Sequence, residues 1–202
     1  MNGPPSPINY DGRSDAMLVF KKFLKYGTNI ATAVPSSRWL ARSLIRGIDF
    51  DTVNTIVELG AGTGPITLEI LKRLKPHTRF FVVEIDPDFC ARLRQRFPKL
   101  DIVHGDAAHL DQLLADRGLK NCDCVVSGLP IPSFPRPLQE AVMGAASRAM
   151  GPNGIFRQLT VMPLVYWKTY SRFWDYVEFK FVPLNLPPAG VYLCKGFKAI
   201  NR

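Results

Sequence analysis

Residues Ile56-Val57-Glu58-Leu59-Gly60-Ala61-Gly62-Thr63-Gly64 constrain the fold more than any other stretch of the chain. A short apolar, β-branched run leads into three glycines placed at every second position. Leu68, Ile70, Leu71 and Leu74 then recur at helical spacing. The pattern predicts a strand, a tight turn and a helix. Glycine belongs in such a turn because a positive φ, or a ligand pressed on the backbone, leaves no room for Cβ. The helix start that follows offers unpaired N–H groups and the positive end of its dipole to whatever lies above it.

The spacing distinguishes this turn from a dinucleotide-binding one, which reads Gly-x-Gly-x-x-Gly. Glu-x-Gly-x-Gly-x-Gly, with its acid at Glu58, resembles the first motif of the class I S-adenosylmethionine-dependent methyltransferases. The resemblance implies a turn that faces the cationic amino-acid end of the cofactor, for which a nearby acid is electrostatically suited.

With 202 residues the chain accommodates one α/β domain and little more. Its apolar fraction of 47% is enough for a full core. No run approaches the roughly 18 consecutive apolar residues of a membrane span. Met1-Asn2-Gly3-Pro4-Pro5-Ser6-Pro7 lacks the charged-then-apolar layout of a signal peptide and reads as a disordered leader. The cysteines (Cys90, Cys122, Cys124, Cys194) and histidines (His77, His104, His109) are too dispersed for a metal set, and the cysteines read as reduced, buried thiols. A net charge of +9 suits a polyanionic partner, either nucleic acid or an acidic lipid surface.

Along the chain, residues 14–26 form the first helix candidate. It has an apolar, aromatic face (Phe20, Phe23, Leu24) beside Lys21, Lys22 and Lys25, the layout of an interfacial membrane helix as well as of a helix packed on a core. A second helix, 37–46, follows Pro35. Strands are expected at 79–86, 100–104, 122–127 and 155–162, alternating with helices from Pro87 to Phe97, over 109–117 and over 138–150. Gly151-Pro152-Asn153-Gly154 is a strong turn signal. A helix over 164–175 and strands at 177–182 and 190–197 complete the chain. The alternation predicts a Rossmann-like α/β fold: a seven-stranded, mostly parallel sheet with a terminal antiparallel hairpin and helices on both faces. Residues 1–50 then hold the leader and two amphipathic or lid helices, and 51–202 the cofactor-binding domain.

Ligands of open α/β sheets lie beyond the carboxyl ends of the strands, and the suggestive residues gather there. Position by position, the resemblance implies that Glu58, Gly60, Ala61, Gly62 and Gly64 cradle the methionine part. Glu84 holds the ribose, Ile85 packs on the adenine, and Asp106 with Ala107 reads the adenine edge. Ser127, ending the fourth strand, borders both cofactor and acceptor.

The acceptor is named after strand four. Base-directed enzymes carry Asn/Asp-Pro/Leu-Pro-Tyr/Phe there, whereas this chain has Gly128-Leu129-Pro130-Ile131. The Leu-Pro is kept, but no amide and no stacking ring is present for a flat base. Ser-Gly-Leu-Pro here, Phe-Lys-Lys-Phe-Leu-Lys in the first helix, Ala33-Val34-Pro35-Ser36-Ser37 and Leu186-Pro187-Pro188-Ala189 resemble the soluble bacterial phospholipid N-methyltransferases of the Rhodobacter/Agrobacterium type. That resemblance implies successive methylation of phosphatidylethanolamine toward phosphatidylcholine. It also implies a cytoplasmic enzyme held peripherally on an anionic inner membrane face by Phe20, Lys21, Lys22, Phe23, Leu24 and Lys25, with no metal and no nucleic-acid partner. Carbonyls of Gly128 and Leu129 would orient the amine; Tyr26, Ser127 and His109 are candidate proton acceptors. An rRNA adenine dimethyltransferase is the alternative, disfavoured by the missing Asn and aromatic and by the lack of a helical RNA-binding tail. A non-catalytic membrane protein on the same fold is the second alternative, disfavoured by intact cofactor residues.

Overall fold

The computed structural model describes residues 36–160, 166–183 and 189–198. The first helix candidate, including Phe20 to Lys25 and Tyr26, lies outside them. Helix α1 (Ser36–Ile45) precedes β1 (Thr55–Leu59), whose five residues are all buried. The chain then alternates through α2 (Pro65–Leu71), β2 (Arg79–Glu84), α3 (Pro87–Arg96), β3 (Asp101–His104), a 3₁₀ turn (Ala107–His109), α4 (Leu110–Ala115) and β4 (Cys122–Ser127). A second 3₁₀ turn (Ile131–Ser133), α5 (Arg136–Ala149), β5 (Met150–Thr160), α6 (Trp167–Phe173), β6 (Trp174–Val182) and β7 (Ala189–Phe197) follow.

The sheet order is β3-β2-β1-β4-β5-β7-β6. β1 to β5 pair in parallel, and β7 enters antiparallel between β5 and β6. Parallel strands of this kind are covered on both faces, which is why β1, β2 and β4 are nearly continuous apolar runs. Leu40 and Leu44 of α1, Ile66 and Ile70 of α2, and Cys90 and Leu93 of α3 close one face. Leu110 and Leu114 of α4, Val142 and Met143 of α5, and Tyr170 and Phe173 of α6 close the other. All four cysteines are free and buried. Among the described residues no helix is long and apolar enough to cross a membrane.

Two of the departures from the expected boundaries have a clear structural cause. Gly151 to Gly154 lie inside β5 rather than before it, because Cys122 pairs with Met150 while Cys124 pairs with Ile155. The turn residues form an outward bulge within the ladder. The helix expected to reach residue 175 ends at Phe173, since Trp174 joins β6, stacking on Phe156 (5.4 Å) and meeting Phe197 edge-on.

Helix α1 is tied to the sheet by polar contacts that hydrophobic periodicity does not show. Arg157 of β5 is 1% exposed and donates to the carbonyl oxygens of Leu44 and Arg46, at the end of α1. A cation there meets the negative end of the helix dipole and carbonyls that have no partner within the helix. Glu69 of α2, also buried, accepts from Arg42 of α1 (3.2 Å), Lys72 (2.8 Å) and Arg73 (2.9 Å). Burial alone would raise its pKa, but the three cations outweigh that and hold it at about 2. Arg157→Met is expected to cost about 3 kcal/mol of stability, because it removes charge-assisted hydrogen bonds and strands two carbonyls. Urea denaturation would show a lower midpoint at unchanged slope.

Candidate active site

The site is built where the turns after β1 and β4 touch. Gly60, Gly62 and Gly64 all have positive φ (70°, 54° and 82°), so each turn position uses the freedom only glycine has. Their neighbours separate their roles. A Cβ on Gly60 would lie 2.4 Å from Leu129 Cδ2, and one on Gly64 would meet Phe97 and Leu93 of the α3 region at 2.8 and 2.9 Å. One on Gly62 would meet nothing within 4 Å. Gly60 thus makes room for the β4 turn, Gly64 for α3, and Gly62 borders open space.

Gly128 is the counterpart on β4. Its N–H donates to the Leu59 carbonyl (2.9 Å), and a Cβ would stand 2.8 Å from the Gly60 backbone oxygen. The absence of Asn from this position therefore has a steric reason. Here the two turns approach too closely for any side chain.

Beside this contact lies a cavity lined by Gly60, Val83, Ile85, Asp106, Ala107 and Leu129, closed by Phe134, Leu138 and Val142. Five of the expected residues (Gly60, Ile85, Asp106, Ala107 and Leu129) are brought together there. Asp106 also holds its own turn, its Oδ1 accepting from Ala108 N–H (2.9 Å). Phe134, Leu138 and Val142 were not anticipated, since an apolar helix face signals core as readily as a pocket wall.

Glu84 stands at the end of β2, as its place in the sequence implies. It is 1% exposed, and both oxygens serve the main chain: Oε2 accepts from Gly62 N–H (2.9 Å), Oε1 from Ile85 (2.9 Å) and Asp86 (3.1 Å). Burial raises its pKa against these hydrogen bonds. The side chain thus buttresses the glycine turn, leaving a lone pair on Oε2 for a hydroxyl. Glu58 lies on the α2 face of β1, fully buried, with no hydrogen-bond partner on either oxygen. Burial pushes its pKa up to about 8, partly offset by the nearby hydroxyl and N–H of Thr67. His109 is exposed and does not line the cavity, whereas Ser127 is buried and its Oγ accepts from Leu129 N–H (3.3 Å).

One residue went unsuspected. Gln158 of β5 is fully buried and stands beside Ser127 in register. Its Nε2 donates to the Leu129 carbonyl (2.7 Å) and to the Leu159 carbonyl (2.8 Å). The Leu129 oxygen expected to face an acceptor is therefore half occupied. The available signal was an amide in the middle of a core strand.

Residues 56–154 match the model of a methyltransferase domain. The whole chain is similar to the ornithine lipid N-methyltransferase of Singulisphaera acidiphila, 49% identical over 187 residues that cover 91% of this chain and 97% of that one. The chain belongs to the family of that enzyme, within the class I S-adenosylmethionine-dependent methyltransferases. The likeness to the ribosomal RNA small subunit methyltransferase A of Bordetella avium is more local, 36% over 106 residues. It spans 52% of this chain and 37% of that one. Among solved structures, 1,6-didemethyltoxoflavin-N1-methyltransferase from Burkholderia thailandensis, with S-adenosylhomocysteine bound, shares the fold at TM-score 0.65 and 15% identity, covering 98% and 94% of the two chains. Human methyltransferase-like protein 13 does so at 0.58 and 14%, covering 82% and 83%.

The geometry of this methyltransferase fits the cofactor. Gly62 borders open space at the start of α2, Glu84 keeps a free lone pair, and the Ile85–Asp106–Ala107 wall is flat, apolar and edged by one carboxylate. These residues would hold the methionine, ribose and adenine parts respectively. Among the described residues no group of His, Cys, Asp and Glu could hold a metal ion.

Two outcomes follow from this geometry. Gly128→Ala is expected to displace the Gly60 turn at a cost of about 1–3 kcal/mol. S-adenosylmethionine affinity, read by calorimetry, then falls about tenfold or more. For Glu58, a folded-state pKa of about 8 against an ordinary 4.5 means that the native state binds the proton more tightly. The apo-protein accordingly loses stability as pH rises from 5 to 8. In Glu58→Gln that loss is reduced, and comparing urea denaturation of the two proteins across this interval isolates the group. Parallel profiles would mean that Glu58 is ionised and paired throughout.

Proposed function

We propose that the chain transfers methyl groups from S-adenosylmethionine to the primary amine of a membrane-lipid head group. Ornithine lipid is the first acceptor to test and phosphatidylethanolamine the second. The observation that carries the reading is the closed space at Gly128. With a Cβ excluded and Ile131 buried at the place of a stacking ring, the turn has nothing to clamp a planar base. A flexible aliphatic amine needs only oriented acceptors, and ornithine and ethanolamine head groups both end in one. The near full-length likeness to an ornithine lipid N-methyltransferase supports the first acceptor. The Ser-Gly-Leu-Pro turn and its companion segments support the second.

Bound S-adenosylmethionine supplies a methyl already activated on a sulfonium. The protein's part is positioning. An aliphatic ammonium has a pKa of about 10 and must lose a proton before its lone pair can attack. The Gly128 and Leu129 carbonyls are the acceptors nearest the turn, and the Ser127 hydroxyl lies behind them. With His109 outside the cavity, solvent at the open mouth takes the proton. An anionic bilayer would concentrate a protein of net charge +9 at the acceptor. Residues Phe20 to Lys25 and an inner-face location belong to this proposal.

Labelled S-adenosylmethionine incubated with ornithine lipid, phosphatidylethanolamine and undermethylated ribosomal RNA separates the readings. Label is expected in a lipid fraction, and chromatography then identifies the lipid and counts the methyl groups. Label confined to RNA would overturn the proposal.

A further inference from the structure

Among the described residues, buried side-chain polar atoms without a hydrogen-bond partner fall into three places. The Glu58 carboxyl oxygens and the Thr67 hydroxyl lie between β1 and α2. The Tyr170 hydroxyl and the Trp174 indole N–H lie in the aromatic cluster that backs β5 and β7. Gln158 Oε1 adjoins the turn after β4.

Gln158 is the informative one. Val83, Leu59, Ser127, Gln158, Tyr192 and Phe179 form one register row across the sheet, at the carboxyl ends of β1, β2 and β4. Gln158 shares a sheet face with Phe156, two residues away, and so lies on the side where Leu129, Phe134 and Val142 line the cavity, behind Leu129 rather than in the lining itself. Its amide cannot rotate freely. Nε2 is spent on the carbonyls of Leu129 and Leu159, and this fixes Oε1 on the other side of the same carbon, next to the turn. A buried amide oxygen left without a donor costs stability unless something supplies one. Gly128 can bring no side chain to the turn, because the Gly60 oxygen closes that space. No side-chain acceptor can stand at Gly128 itself, and the neighbouring strand β5 offers one.

We infer that Gln158 binds the acceptor nitrogen, its Oε1 accepting an N–H of the lipid amine while the second lone pair of the Leu129 carbonyl accepts another. The inference rests on the amine-lipid reading above. Two acceptors fixed on one side of the nitrogen leave its lone pair pointing elsewhere, which is the geometry an in-line attack needs. The arrangement also reads methylation state. An unmethylated amine has N–H groups for both oxygens and a trimethylated one has none, so the product loses the contacts that held the substrate. Gln158 then favours release of the finished lipid.

The test compares binding, without turnover, to protein saturated with S-adenosylhomocysteine. Micellar ornithine lipid is set against its N-trimethyl derivative, and phosphatidylethanolamine against phosphatidylcholine, by calorimetry. Wild type is expected to prefer the amine in the pair that it methylates. Gln158→Met should bind that amine about tenfold more weakly and leave binding of the trimethyl lipid and of S-adenosylhomocysteine within about twofold. Equal weakening of amine and trimethyl lipid in Gln158→Met would reduce the residue to a brace for the Leu129 turn and overturn the inference. If Gln158→Met fails to bind S-adenosylhomocysteine, the wild-type preference between amine and trimethyl lipid decides, and its absence overturns the inference. Wild type that methylates lipid yet shows no preference also overturns the inference alone, whereas wild type that methylates neither lipid overturns the function on which it rests.

Discussion

The contact between the turns after β1 and β4 is the constraint on which the site depends. Gly128 N–H reaches the Leu59 carbonyl, and the Gly128 α-carbon faces the Gly60 oxygen with no space for a side chain. Gly60 in turn donates to Val83 of β2 (2.9 Å), so three strand ends are locked together at their carboxyl edge. Because the contact is backbone to backbone, it cannot relax by rotating a side chain. Cofactor turn and acceptor turn therefore sit in one rigid unit, the condition for catalysis by positioning.

Glu84 and Gln158 support that unit from either side. Glu84 takes the Gly62 N–H and two N–H groups of its own turn, so a buried carboxylate, costly alone, is compensated by backbone donors. Gln158 takes the Leu129 carbonyl from β5. Both side chains are buried polar groups whose partners are main-chain atoms of the site. Such groups hold a loop in one geometry more firmly than apolar packing does, because a slip leaves a donor or acceptor unmet.

The distribution of charge follows a similar division. Glu69 and Arg157 fasten α1 to α2 and β5. One face of the sheet is thereby covered by a helix that the hydrophobic pattern alone would hold less specifically. Glu58, by contrast, is buried, and burial raises its pKa by more than the nearby Thr67 hydroxyl and N–H lower it.

Much of this was legible in the chain itself. Strand β4 and the order of elements followed from short apolar runs and apolar residues at helical spacing, broken by glycine and proline, since strands buried on both faces of a parallel sheet read locally as continuous apolar runs. Which residues gather at the strand ends was legible because those ends converge wherever the alternation is regular. What only the tertiary structure decided were relations between residues distant in sequence. Gly128 excludes Asn because Gly60 stands opposite. Glu84 buttresses a turn twenty-two residues earlier. Gln158 reaches a carbonyl twenty-nine residues away. Each of these depends on how close two backbones come, and that distance is set by packing the whole sheet rather than by the residues on either strand.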